Sequence, residues 1–122
     1  MKLTIDRKVW LRGEGGAASK LLRANDGKRC CVGIYLVALG VTDELLTEVS
    51  VAHGTGSLRR FVADHTPWLA NTHVTDASAD ANYLYSRNDD RGIEESYRER
   101  NIAAIFAKHG VEVEFIDGEG GS

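Results

Sequence analysis

The sequence predicts an α+β fold in which a small antiparallel sheet is covered by two main helices. Two observations carry this prediction. Apolar and polar residues alternate in residues 2–6 and 111–115, as in strands that bury one face. Apolar residues recur with helical spacing in residues 31–39 and 93–109. A length of 122 residues with 43% apolar residues indicates one packed domain, which we place at 1–116, with 117–122 as a flexible tail.

Three segments form the predicted sheet. The N-terminal strand buries Leu3 and Ile5 on one face. A hairpin over residues 20–32 turns at residues 25–27 (Asn-Asp-Gly), because these residue types tolerate positive φ angles. The C-terminal strand, 111–115, could pair beside the N-terminal strand.

The helical segments have recognisable boundaries. The first main helix runs from Cys31 to Leu39 and is stopped by Gly40. The second runs from Ile93 to His109 and is stopped by Gly110. Shorter helices are expected after Thr42, over 57–62 and over 80–87, whereas residues 68–78 are expected to form a loop.

Charge excludes some partners and suggests others. The net charge is −3, which argues against a protein that coats duplex nucleic acid or anionic lipid. No apolar run reaches the roughly 20 residues that a membrane-spanning helix needs. Residues 1–41 carry a net +5 and residues 80–122 a net −5. Two copies could therefore associate head to tail, and a homodimer is expected.

Cysteine and histidine indicate no metal site and no cofactor. The two cysteines, Cys30 and Cys31, are adjacent and form no C-x-x-C motif, which favours reduced thiols in the cytoplasm. Cys31 could be a nucleophile at a helix start, but packing of both thiols in the core is favoured because no histidine lies nearby in sequence. The four histidines lack the spacing of metal ligands.

Several short segments together resemble a family of small bacteriophage and prophage proteins. Residues 21–33 (LLRANDGKRCCVG) resemble its "LR…dGk.CClG" segment, and residues 84–90 (LYSRNDD) resemble its later "L…NDd" element. Residues 110–115 (GVEVEF) resemble its ending. The resemblance implies a phage context, and hence the host cytoplasm, but no particular activity. Small phage proteins of this kind are often accessory or anti-defence factors, and some sequester nucleotide immune signals.

Two segments carry candidate binding residues. The glycine loop after Arg12 fails the P-loop pattern, but its amides could bind an anion; it could equally be a flexible connection. Residues 85–89 could stack on a base, read a ribose or base edge and bind a phosphate, or simply end a helix. The predicted ligand-binding residues are Arg12, Gly13, Gly15, Tyr85, Arg87, Asn88 and Asp89.

Two functions are expected, and catalysis is disfavoured. The first is a non-catalytic phage-type accessory protein that sequesters a small anionic, nucleotide-like signal. The alternative is a protein–protein inhibitor that blocks a host enzyme through its acidic C-terminal helix. An enzyme using a Cys31 thiolate or an Asp89 base is less favoured, because neither residue has a paired base in the sequence.

Overall fold

A computed structural model of the chain describes residues 1–12, 20–49, 56–70 and 76–118. These ranges contain two strands and six helices. In chain order they are β1 (Lys2–Asp6), α1 (Cys31–Ala38), α2 (Asp43–Leu46), α3 (Gly56–His65), α4 (Pro67–Ala70), α5 (Asp76–Asp89), α6 (Glu95–Lys108) and β2 (Glu112–Ile116). α1 and α6 are the two predicted main helices, and α2, α3 and α5 lie where shorter helices were expected. α5 has 14 residues, as many as α6, so the prediction of only two main helices is wrong.

The sheet consists of β1 and β2, which run parallel, so the predicted antiparallel sheet is wrong. Leu3 lies opposite Val113 and Ile5 opposite Phe115, which confirms that the two terminal strands pair. Their direction follows from the connection, because α6 carries the chain back along the sheet before β2 begins. A helical crossover of this kind joins parallel strands, whereas a tight turn joins antiparallel ones.

The hairpin predicted over residues 20–32 does not form a ladder. The chain does turn, since the Arg23 N–H donates to the Lys28 carbonyl at 2.8 Å and Gly27 has a φ of 74°. The flanking segments, however, make isolated parallel bridges elsewhere: Leu22 pairs with Thr47, and Arg29 pairs with Trp10. Leu21 and Leu22 are both buried, so this segment lacks the one-sided alternation that a surface hairpin strand needs.

Both main helices are confirmed to within two residues, but the loop predicted over 68–78 is wrong at both of its ends, and residues 71–75 lie outside the described residues. Residues 67–70 form α4, and α5 already begins at Asp76. Pro67 is compatible with a first helical position, where its missing N–H costs nothing. Trp68 and Leu69 are buried in the core, so tertiary packing stabilises this short turn of helix.

A single hydrophobic core lies between the helices and one face of the sheet. α1 contacts β1, and α6 contacts β2. Within this core, Gly33 of α1 lies against the backbone of Leu21, and a Cβ atom at position 33 would collide with the Leu21 carbonyl. At the C-terminal end, the Gly118 N–H donates to Asp6 Oδ1 at 2.8 Å, and residues 119–122 of the predicted tail lie outside the described residues.

Candidate functional site

Asn88, a predicted ligand-binding residue, lies buried at the end of α5 with only 1% of its surface exposed. Its Oδ1 accepts hydrogen bonds from Trp10 Nε1 at 2.7 Å and from the Cys31 N–H at 3.1 Å. Its Nδ2 donates to the Leu11 carbonyl and to Asp89 Oδ1, both at 3.0 Å. An asparagine amide has two acceptor and two donor sites, so this side chain is saturated within the protein.

These bonds join the end of α5 to the start of α1. Cys30 is the N-cap of α1, and its own side chain makes no capping bond. The amide of Asn88 instead accepts a hydrogen bond from the first N–H of that helix, at Cys31. Asn88, at the end of α5, therefore supplies the side-chain cap for α1, which begins at Cys31.

Arg12 and Arg98 flank this cluster and share one carboxylate. Arg12 Nε donates to Glu95 Oε2 at 2.8 Å, and Arg98 Nη2 lies 3.3 Å from Glu95 Oε1. The Arg12 guanidinium also lies over the Trp10 ring, 4.3 Å from its centroid. Arg98 is 2% exposed, and its Nη1 donates at 2.8 Å to the carbonyls of residues 87 and 88. These bonds satisfy the last carbonyls of α5.

Arg87 lies on the solvent side of the same helix end. Its guanidinium stacks over the Tyr83 ring at 4.3 Å from the centroid and lies 3.9 Å from Asp90 Oδ2. Tyr85 is half-buried against the core. Arg12 is thus linked to the Asn88 cluster through Glu95 and Arg98, whereas Arg87 contacts Tyr83 and Asp90. The side-chain amide of Asn88 is bound within the protein and is not free for a ligand. The predicted Gly13 and Gly15 lie outside the described residues.

The two thiols are core residues. Cys30 is 1% exposed and Cys31 is fully buried. Burial raises the pKa of Cys30 to about 12 and holds the pKa of Cys31 well above its usual value. A thiol with so high a pKa stays protonated at neutral pH and is a poor nucleophile.

A second polar cluster joins the start of α5 to the end of α6. Asp80 lies 2.8 Å from Lys108 Nζ and 2.9 Å from His109 Nε2. The His109 ring stacks on Trp68 with 4.0 Å between ring centroids. Hydrogen bonds from Lys108 and then from His109 lower the pKa of Asp80. With its carboxylate held by two partners, Asp80 links the two helices.

An open groove runs between α6 and β2, and we call it the α6–β2 groove. Its volume is about 460 Å³, and its lining consists of Ser96, Glu99, Arg100, Ala103, Val113 and Phe115. Val113 and Phe115 are only half-buried, whereas their partners Leu3 and Ile5 on β1 are fully buried. Phe115 packs against Trp10, with 5.3 Å between ring centroids. The groove therefore has an apolar floor that solvent reaches.

The outer edge of β2 presents backbone groups beside this groove. The Glu112 N–H donates to the Met1 carbonyl, and the Ile116 carbonyl accepts from the Arg7 N–H, each at 2.8 Å. Peptide groups alternate in direction along a strand, so residues 112, 114 and 116 bond to β1. The N–H and C=O groups of Val113 and Phe115 consequently point away from β1, toward an edge with which no strand of the described residues pairs. We call it the open edge. The alternation of residues 111–115 identified this strand, but no sequence signal showed which edge stays open.

The described residues contain no group of three potential metal ligands and no helix long and apolar enough to span a membrane. Comparison of the chain with family models, with curated proteins and with solved structures finds no match.

Proposed function

We propose that this chain is a non-catalytic protein-binding module that takes an extended segment of a partner protein onto the open edge of β2. The observation that carries the proposal is the α6–β2 groove of about 460 Å³ beside an unpaired strand edge. This is the second of the functions expected from the sequence, with its contact surface moved from the acidic helix to the groove. Inhibition of the partner follows if the bound segment is one that the partner needs.

The proposal uses two properties of the site together. An added strand would bond to the backbone groups of Val113 and Phe115, which gives affinity without sequence preference. Every second side chain of that strand would enter the groove, which gives specificity. Parallel sheets are normally covered or extended by further structure, so a two-stranded parallel sheet with this open edge is suited to accept a third strand.

The acidic residues of α6 itself are poor candidates for the contact. Glu99 is bound by Arg7 through two hydrogen bonds of 2.8 Å, and Glu95 contacts Arg12 and Arg98. A partner would have to break these ion pairs to reach either carboxylate. The groove needs no such rearrangement.

A peptide-display selection tests the proposal. Random twelve-residue peptides are selected on the wild-type protein and then measured against two variants of α6, Ala103→Arg and Ala104→Arg. Ala103 lines the groove, whereas Ala104 is an exposed neighbour outside the lining, so the second variant controls for added charge and bulk. We expect selected peptides to bind Ala104→Arg like wild type and to lose at least about tenfold in affinity for Ala103→Arg. Equal binding to both variants, or no selected peptides, contradicts the proposal.

Sequestration of a nucleotide remains a second candidate, because a cation, Arg87, lies over the exposed ring of Tyr83, 4.3 Å from its centroid. Tyr83 and Tyr97 are 38% and 45% exposed, so either ring could stack on a base. Arg87→Ala should then weaken nucleotide binding by about 1.5–3 kcal/mol without changing the melting temperature. Calorimetry with linear and cyclic nucleotides measures this, and no binding below millimolar concentration removes the candidate. A bacteriophage context and a location in the host cytoplasm are part of this proposal, and their sole support is the sequence resemblance.

A further inference from the structure

We propose that the partner segment is a basic amphipathic strand, in which lysine or arginine alternates with apolar residues. This inference rests on the proposed function, because it names the chemistry of the segment that the open β2 edge and the α6–β2 groove would bind. The observation that supports it is a difference between the two faces of β2. The solvent-facing side is acidic, and the inward side is apolar.

The solvent-facing side of β2 is acidic. Glu112 and Glu114 are both exposed there. Lys2 on β1 lies 3.4 Å from Glu114, and the side chains of both are about half exposed. Glu112 has no ion-pair partner among the described residues. Side chains directly opposite each other on adjacent strands interact, so cations opposite Glu112 and Glu114 would stabilise an added strand.

The inward side of an added strand meets an apolar surface. Val113, Phe115 and Ala103 form the apolar half of the groove lining, and Ser96, Glu99 and Arg100 form the polar half. The carboxylate at its wall, Glu99, is already neutralised by Arg7. Apolar side chains at every second position would bury the exposed parts of Val113 and Phe115, whereas cationic ones there would meet Arg100 and no free carboxylate of the lining.

A second copy of this chain fits the edge less well. When two β2 strands pair antiparallel over their full length, Glu114 of one lies opposite Glu114 of the other. Like charges directly opposite each other destabilise a strand pair. The acidic edge thus disfavours self-association through β2, even though a homodimer is expected from the charge of the two chain ends.

Three fluorescein-labelled ten-residue peptides test the inference by fluorescence anisotropy. The first alternates lysine and valine, the second alternates glutamate and valine, and the third has the composition of the first in blocks. We expect the alternating basic peptide to bind wild type at least about tenfold more tightly than either of the others. Its affinity should fall when salt rises from about 50 to 300 mM, because exposed ion pairs are screened.

Charge reversal on β2 supplies the matched test. Glu112→Lys should weaken binding of the alternating basic peptide at least about threefold and strengthen binding of the acidic one. Glu44→Lys makes the same change at an exposed position of α2, outside the groove, and should alter neither affinity. Circular dichroism confirms that both variants are folded. Amide exchange adds a structural readout, since binding should protect the Val113 and Phe115 N–H groups.

The remaining outcomes separate the two proposals. If the acidic alternating peptide binds wild type as tightly as the basic one, and Ala103→Arg still abolishes binding, the partner chemistry is wrong but the protein-binding function stands. If no alternating peptide binds and light scattering shows a dimer that Ala103→Arg dissociates, a second copy occupies the groove, and the basic strand is overturned. If no alternating peptide binds, the protein is monomeric and peptide display yields binders that Ala103→Arg weakens, only the basic strand is overturned. If display also yields no binders, both proposals fail.

Discussion

Replacing Asn88 by alanine should destabilise the protein severely, because this one side chain joins three segments that are distant in sequence. The substitution removes the partner of the Trp10 indole N–H, of the Cys31 backbone N–H and of the Leu11 carbonyl. All three residues are 2% exposed or less, so water does not replace the lost bonds without rearrangement. Each buried polar group left without a partner costs about 1–3 kcal/mol.

The three losses together lower the free energy of unfolding by about 3–6 kcal/mol after some relaxation. A domain of this size is stable by only about 5–15 kcal/mol, so the variant would be close to unfolding at physiological temperature. Urea titration followed by circular dichroism and tryptophan fluorescence measures the change. Trp10→Phe removes the indole N–H that bonds to Asn88. Because both substitutions remove the same hydrogen bond, the double variant should lose less free energy of unfolding than the two single variants added together.

Asn101→Ala is the matched control. Asn101 also accepts a hydrogen bond from an aromatic side chain, the Tyr83 hydroxyl at 2.9 Å, but this bond is exposed to solvent. Its loss should change the free energy of unfolding by less than about 1 kcal/mol. If Asn88→Ala costs as little as this control, the asparagine does not hold the fold together, and its assignment to ligand binding regains support.

Four further outcomes are expected. Gly33→Ala should destabilise the protein by at least about 1–3 kcal/mol in urea titration, because its Cβ meets the Leu21 carbonyl, whereas Gly92→Ala, with 3.5 Å to its nearest neighbour, should be nearly neutral; equal effects would contradict this packing. Ellman's reagent should modify neither Cys30 nor Cys31 at pH 8 until urea unfolds the chain, since both are buried with raised pKa values; rapid labelling of native protein would show a reactive thiol. Amide exchange in the free protein should be faster at Val113 and Phe115 than at Glu112 and Glu114, and uniform protection along β2 would mean that its outer edge is covered. Because the folded pKa of Asp80 is lowered, its stabilisation is present above the unfolded value of about 4 and is lost as the pH falls through the lower, folded value; the stability gap between wild type and Asp80→Asn should therefore narrow as the pH falls below about 4, and a gap that does not change with pH would refute the ion-pair explanation.

Part of the fold was predictable from local pattern. The alternation in residues 2–6 and 111–115 and the helical spacing in residues 31–39 and 93–109 each depend on which face of an element is buried. Each segment contains several apolar residues that repeat the same spacing. The pairing of the two terminal strands was also expected, since each has one apolar face that needs a partner.

The candidate site was harder to predict from local sequence pattern. Polar residues grouped on a turn suggested that Asn88 binds a ligand, and the adjacent glycines suggested the same for Arg12, but the same residue types also bind other parts of the protein. Only the tertiary structure shows that the Asn88 amide is saturated by Trp10, Leu11, Cys31 and Asp89. A residue's type limits which hydrogen bonds it can make, and the fold decides which partners it meets.

The sequence by itself determined that the chain has an amphipathic strand near each end and a long amphipathic helix before the second strand. Strand direction, the loss of the hairpin ladder and the extra helical turn at Trp68 were decided by tertiary structure. So was the open edge of β2, because the residues of a strand specify which face is buried but not how many neighbours lie beside it. The half-buried Val113 and Phe115 acquire a possible function only where α6 stops short of covering them.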